Sequence, residues 1–142
     1  MSEILLDRFL DVFNRDILPL TYKGVDLGNK IFGAAIMKKE DYSLVVAGTN
    51  NEIENPLWHG EIHTLKKFYE INKEMRPDEK NCIFLSSHEP CSLCLSAITF
   101  SVFDNLRSTF NANLYFRYLE KHKKPCARAY DRIASFRNYN NR

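Results

Sequence analysis

Three observations predict an α/β chain in which a sheet is layered between helices. Apolar residues recur at helical spacing in some segments and form short continuous runs in others. The two kinds of segment alternate along the chain, the pattern of an α/β/α three-layer sandwich. At 142 residues, 44% of them hydrophobic and 27% charged, the chain can bury one core of ordinary composition. One domain over 1–142 is therefore expected, with its core at about 30–110 and a different composition from about 105 onward.

Taken in order, the first element is a helix. Leu6, Phe9, Leu10, Phe13 and Ile17 share a helical face behind Ser2, and Pro19 is expected to end it. Ile31–Met37 and Leu44–Gly48 are apolar runs separated by the polar Lys38-Lys39-Glu40-Asp41-Tyr42, which reads as a β-hairpin. Ile62, Leu65, Phe68, Tyr69 and Met75 lie near one face of a helix expected over Glu61–Met75, stopped by Pro77. Cys82–Ser86 reads as a buried strand, Cys91–Phe103 as a helix entered through Pro90, and Leu106–Phe110 as a strand after the turn at Asp104-Asn105. The N-terminal Met1–Arg8 is broken by charge within one helical turn, and no apolar run is long enough to span a bilayer, so neither signal peptide nor membrane span is expected. A cytoplasmic location follows as an expectation, and in a reducing compartment Cys82 and Cys126 are packed thiols rather than a disulfide.

Two short segments carry the chemistry. His59-Gly60-Glu61 supplies an imidazole and a carboxylate at the start of one expected helix, and Pro90-Cys91-Ser92-Leu93-Cys94 supplies two thiols at the start of another. His59, Cys91 and Cys94 are three ligands suited to Zn2+, which leaves a fourth position open for water. Glu61, not a ligand, is placed to move protons. Each helix start also adds partial positive charge, expected to favour thiolate at Cys91 and Cys94. A lone C-x-x-C can instead be a redox pair or half of a structural zinc knuckle, but a second C-x-x-C is lacking. His63 lies one turn after His59; a zincin would need H-E-x-x-H, and Gly60 stands in the place of its glutamate, so His63 reads as supporting or packing. His88 is expected at a loop mouth, solvated or in contact with substrate, and His122 at the surface.

The pattern H-x-E…P-C-x-x-C resembles the signature of the cytidine deaminase superfamily. The resemblance runs from about Lys30 to Phe110: Phe32-Gly33-Ala34 is similar to the family's first core strand, Asn55–Glu61 to its D-P-T-x-H-A-E segment, and Glu89–Cys94 completes it. It implies a central mixed sheet of about five strands, a Zn2+ cofactor on His59, Cys91 and Cys94, and Glu61 as the proton-transferring residue. It also implies hydrolytic removal of an exocyclic amine from a nucleobase, nucleoside or nucleotide, leaning toward the nucleobase and purine branch. Asn50 would be the base-edge hydrogen-bond donor, although Asn51 could hold that place. Phe32 would be a wall of the base pocket, or simply core. Trp58 would narrow the pocket or stack on the base, or merely cover the helix end. A homodimer is expected by the same resemblance. An RNA-acting, tRNA-type deaminase and a deaminase-like zinc protein without turnover are the alternatives.

The C-terminal region departs from that pattern. Residues 105–142 hold nine basic and two acidic side chains, a balance of +7 within a total of +2. Tyr115, Phe116, Tyr118, Tyr130, Phe136 and Tyr139 lie among them. Aromatics between cations suit polynucleotide binding, yet two amphipathic helices over 113–124 and 125–136 are favoured, with Lys121, Lys123 and Lys124 as a solvated face. The family's fifth strand has no clear place in this stretch.

Overall fold

The computed structural model describes residues 3–108, which fall in one compact unit. The helices expected over 113–124 and 125–136, the basic aromatic cluster and the end of the strand expected over 106–110 lie outside the described residues. So does any test of 1–142 as one domain.

The chain begins with α1 (Glu3–Val12), passes through a π-helical turn (Phe13–Ile17) and continues as α2 (Leu18–Asp26). Pro19 therefore does not end the helix as expected. The N–H of Leu18 bonds the carbonyl of Phe13, a five-residue step, so the helix re-registers just before the proline, which lies in the first turn of α2 where its missing N–H is tolerated.

β1 (Gly33–Lys38) and β2 (Leu44–Thr49) form the expected antiparallel hairpin, with Tyr42 in the left-handed region (φ 57°) at its turn. β3 (Cys82–Ser86) lies on the other side of β1, antiparallel to it, and β4 (Leu106–Ser108) runs parallel to β3. Among the described residues the sheet is thus mixed and four-stranded, in the order β2-β1-β3-β4. Ala34, Ala35, Ile36 and Met37 are all 0% exposed, which explains why β1 reads as a continuous apolar run: both of its faces are covered.

Helices cover the two faces. Ala34, Ile36 and Phe84 share a core cluster with Leu65 and Phe68 of α3 (Gly60–Glu70), Ile98 of α4 (Ser92–Phe100), and Phe103. The Phe103 ring meets those of Phe68 and Phe84 edge-on, each at 5.5 Å. On the opposite face of β1, a side chain at Gly33 would come within 2.6 Å of Ile17 Cγ2 and 3.1 Å of Thr21 Oγ1, so the π turn and α2 form the outer layer there. This is the three-layer α/β/α arrangement.

Both later helices end earlier than their periodicity suggests. α3 stops at Glu70 because Ile71 turns extended (φ −65°, ψ 133°) and Asn72 Oδ1 accepts from the Glu74 N–H at 3.2 Å, a side-chain turn that competes with helix. α4 stops at Phe100, and Val102 takes a positive φ of 63°. Among the described residues no helix is long and apolar enough to cross a membrane.

Candidate active site

The two motifs meet where the sheet ends and α3 and α4 begin. His59 is the N-cap of α3 and Cys91 the N-cap of α4, with Cys94 buried one turn along. Neither cap side chain bonds its own helix. Instead, Asn50, just past β2, accepts the Gly60 N–H on Oδ1 at 2.7 Å and ties the start of α3 to the sheet. A β-carbon on Gly60 would lie 2.7 Å from the Phe32 carbonyl oxygen and 2.8 Å from Gly33 Cα, so only glycine lets α3 start this close to β1.

His59 Nδ1 lies 3.5 Å from Cys91 Sγ and 3.6 Å from Cys94 Sγ, and the two sulfurs are 3.5 Å apart. These ligand atoms fit a tetrahedral zinc: bonds of about 2.3 Å to sulfur and about 2.0–2.1 Å to nitrogen separate ligand atoms by about 3.5–3.8 Å. The donor set is likewise that of zinc, two thiolates and one imidazole. Among the described residues, these three form the one group of this kind able to hold a metal ion.

Glu61 follows in the first turn of α3 and is only 5% exposed. Its Oε1 accepts the hydroxyl of Ser86 at 2.8 Å, from the end of β3. Ser86 is itself fully buried, so the carboxylate is oriented by a neutral donor. Burial pushes the Cys94 thiol well above the usual thiol range, and the Glu61 carboxylate adds to the shift. Desolvation and a nearby negative charge thus oppose the partial charge of the helix start, which is expected to favour thiolate at Cys94. A divalent cation restores that preference, since a coordinating thiol is deprotonated outright.

Glu52, in the loop after β2, reaches the outer side of the ligand cluster. Its Oε1 lies 3.0 Å from Lys30 Nζ and 3.7 Å from His59 Nε2. Burial opposes ionisation of Glu52, but the hydrogen bond and charge of Lys30, with the Asn50 amide nearby, hold its carboxyl below the ordinary range. The Asn50 Nδ2, although near Glu52, has no partner of hydrogen-bonding geometry.

The other sequence-derived candidates gather around this core. Phe32 is half-buried beside the start of α3, and its ring meets His88 edge-on at 4.6 Å. The ring of Trp58 stacks parallel on His63 at 5.6 Å, with Lys66 Nζ 5.1 Å away, so it covers the flank of α3. His63 is no ligand: its Nδ1 faces the Thr49 carbonyl at 2.8 Å. Ser86, Ser87 and Glu52 were not anticipated. Ser87 accepts the Gly33 N–H on Oγ at 3.0 Å and pairs with His88 Nδ1 at 2.9 Å. Two serines closing an otherwise apolar strand just before a ligand loop were the available signal; Glu52, acting across loops, left none.

Residues 12–107 match the family model of the cytidine and deoxycytidylate deaminase zinc-binding region. A guanine deaminase from Bacillus subtilis (strain 168) is 32% identical over 91 residues, covering 62% of this chain and 56% of the relative. The X-ray structure of guanine deaminase from Bacillus subtilis superposes with a TM-score of 0.55 at 26% identity, over 77% of this chain and 64% of the other. A structure from work on A-to-I editing by tRNA:A34 deaminases shares the fold, with a TM-score of 0.55 at 19% identity over 72% of this chain and 74% of that one. The chain thus spans little more than half the length of the curated relative it matches.

Proposed function

Because this chain belongs to the cytidine and deoxycytidylate deaminase zinc-binding family, we propose that it is a zinc-dependent hydrolytic deaminase acting on a nucleobase, with purine bases of the guanine type as the leading substrate class. The observation that carries the reading is the buried carboxylate of Glu61, held by Ser86 next to a His59, Cys91 and Cys94 cluster of zinc dimensions. The choice of base is supported by the guanine deaminase relatives.

The reaction adds water across a ring C=N bond whose carbon bears an exocyclic amine, then expels that amine as ammonia and leaves a carbonyl. Zinc bound at His59, Cys91 and Cys94 would supply Lewis acidity and bring the pKa of a water toward neutrality. Glu61 would take a proton from the attacking water, deliver it to the ring nitrogen, and then move the second proton to the leaving amine. The Ser86 hydroxyl on Oε1 fixes the orientation of the carboxylate for these transfers.

Asn50 defines one feature of the substrate. Its carbonyl oxygen is taken by the Gly60 N–H, so only its amide N–H remains to offer. Leaving a buried donor unpaired costs about 1–3 kcal/mol. An acceptor on the base, a carbonyl oxygen or an unprotonated ring nitrogen, relieves that cost. Phe32 supplies an apolar ring at the side of the site. A cytoplasmic homodimer completes the proposal, its assembly alone supported by the exposed Leu93, Leu95 and Phe100 of α4.

Ammonia release from a panel of free bases, nucleosides, nucleotides and a tRNA anticodon stem-loop tests the reading. Turnover of guanine or a related free base is expected. Turnover of the RNA alone would move the protein to the polynucleotide class, and no turnover with zinc fully bound would refute deaminase activity.

A further inference from the structure

We propose that Glu52 is a positioning residue for the zinc ligand His59, held in place by Lys30. His59 turns Nδ1 toward both cysteine sulfurs. Coordination through Nδ1 needs the lone pair on that nitrogen, so the neutral ring carries its proton on Nε2. Nε2 faces Glu52 Oε1 at 3.7 Å. That is an ion-pair distance, one small side-chain rotation from a charge-assisted hydrogen bond of about 2.7–2.9 Å.

Glu52 is suited to this part. Its side chain is 16% exposed, and both of its oxygens are engaged from one residue: Lys30 Nζ lies 3.0 Å from Oε1, and the Lys30 backbone N–H reaches Oε2 at 3.4 Å. Lys30 and Glu52 belong to the loops before β1 and after β2, so the ion pair fixes the carboxylate from outside the ligand cluster. A carboxylate on the second ring nitrogen of a ligating histidine fixes the tautomer and ring orientation and raises the basicity of the ligand. Lys30, Glu52 and His59 thus follow one another toward the ligand cluster, Lys30 exposed and His59 about one-third exposed.

The alternative is that Glu52 only braces two loops through Lys30. Zinc competition between the full chain and a chromophoric chelator at fixed pH separates the two. Glu52→Ala is expected to weaken zinc binding by about 10–100-fold. Glu52→Gln, isosteric but uncharged, is expected to fall between it and the unmodified protein. Lys30→Gln removes the ion pair but keeps the backbone N–H of residue 30 on Oε2 and so the carboxylate beside His59; its effect is expected to stay below about threefold, as for a partly exposed pair. With Co2+ in place of zinc, Glu52→Gln should also shift the thiolate-to-metal absorption band, while Lys30→Gln leaves it unchanged. Unaltered zinc affinity in Glu52→Gln, or equal weakening in Lys30→Gln, overturns the proposal. The inference rests on the zinc site alone, so inactivity toward every substrate would refute the deaminase reading without touching this measurement.

Discussion

Replacing Glu61 by glutamine separates proton transfer from every other task of the site. The side chains are nearly isosteric, and glutamine can still accept the Ser86 hydroxyl that lies 2.8 Å from Glu61 Oε1. A hydrogen bond to a charged group contributes about 1.5–3 kcal/mol and one to a neutral group about 0.5–1.5 kcal/mol, so roughly 1 kcal/mol is lost there. Against this, Glu61 is 5% exposed, and among the described residues no lysine or arginine pairs with it. Removing a desolvated charge recovers a similar amount. Stability of the metal-free protein should therefore change by no more than about 1 kcal/mol. Turnover should fall by at least the about 10²–10⁴-fold of a positioned acid–base group, about 2.7–5.4 kcal/mol of barrier. The assay is kcat for ammonia release, with zinc content and thermal unfolding measured on the same preparations. Near-normal kcat with full zinc occupancy would refute the role of Glu61; loss of zinc would show that its carboxylate supports the metal instead.

Four further outcomes are expected. Cys94→Ala should leave zinc substoichiometric by elemental analysis and lower the thermal midpoint, whereas an unchanged metal content would remove Cys94 from the ligand set. Asn50→Asp keeps the acceptor for the Gly60 N–H and deletes the amide donor; kcat/KM should drop by about 10–100-fold with zinc retained, and an unaltered kcat/KM would free Asn50 from substrate contact. Gly60→Ala places a β-carbon 2.7 Å from a backbone oxygen that cannot yield, for a loss of about 1–3 kcal/mol by denaturant unfolding. Replacing Lys121, Lys123 and Lys124 together by glutamine should leave small-base turnover unchanged; salt-dependent RNA binding that disappears in this variant would favour a polynucleotide substrate.

The elements carrying the metal ligands were legible in the sequence because each is a local signal. Cys82–Ser86 was delimited by an apolar run bounded by polar residues, and it is β3 to the residue. The hairpin followed from two such runs around five polar residues, and His59, Cys91 and Cys94 from their spacing. What escaped depends on competition between local and distant forces. Pro19 looked like a stop, but a π turn absorbs its missing N–H. Met75 kept helical phase with Phe68, yet α3 ends five residues earlier, where Asn72 forms its own turn. Trp58 reads equally from the sequence as a pocket wall or a helix cover, and its ring lies against His63 and Lys66 on α3. Ser86 and Glu52 matter through partners 25 and 7 positions away in the chain, Glu61 and His59, and no periodicity encodes those pairs.

The charge arrangement explains why metal and chemistry belong together in this site. The cluster packs the Cys94 thiol against the Glu61 carboxylate in a desolvated setting, and burial first, then the carboxylate, push that thiol up. A thiolate there would be a second buried negative charge beside the first, which the local dielectric makes costly. A divalent ion reverses the balance at Cys94, and the proton released on binding is the reason such sites couple metal affinity to pH. Glu61 remains outside the ligand set, its Oε1 held by the neutral Ser86 hydroxyl rather than by a lysine or arginine that would fix its charge. A group that moves a proton between two positions must keep its orientation, and the Ser86 hydroxyl supplies that hold from the end of β3.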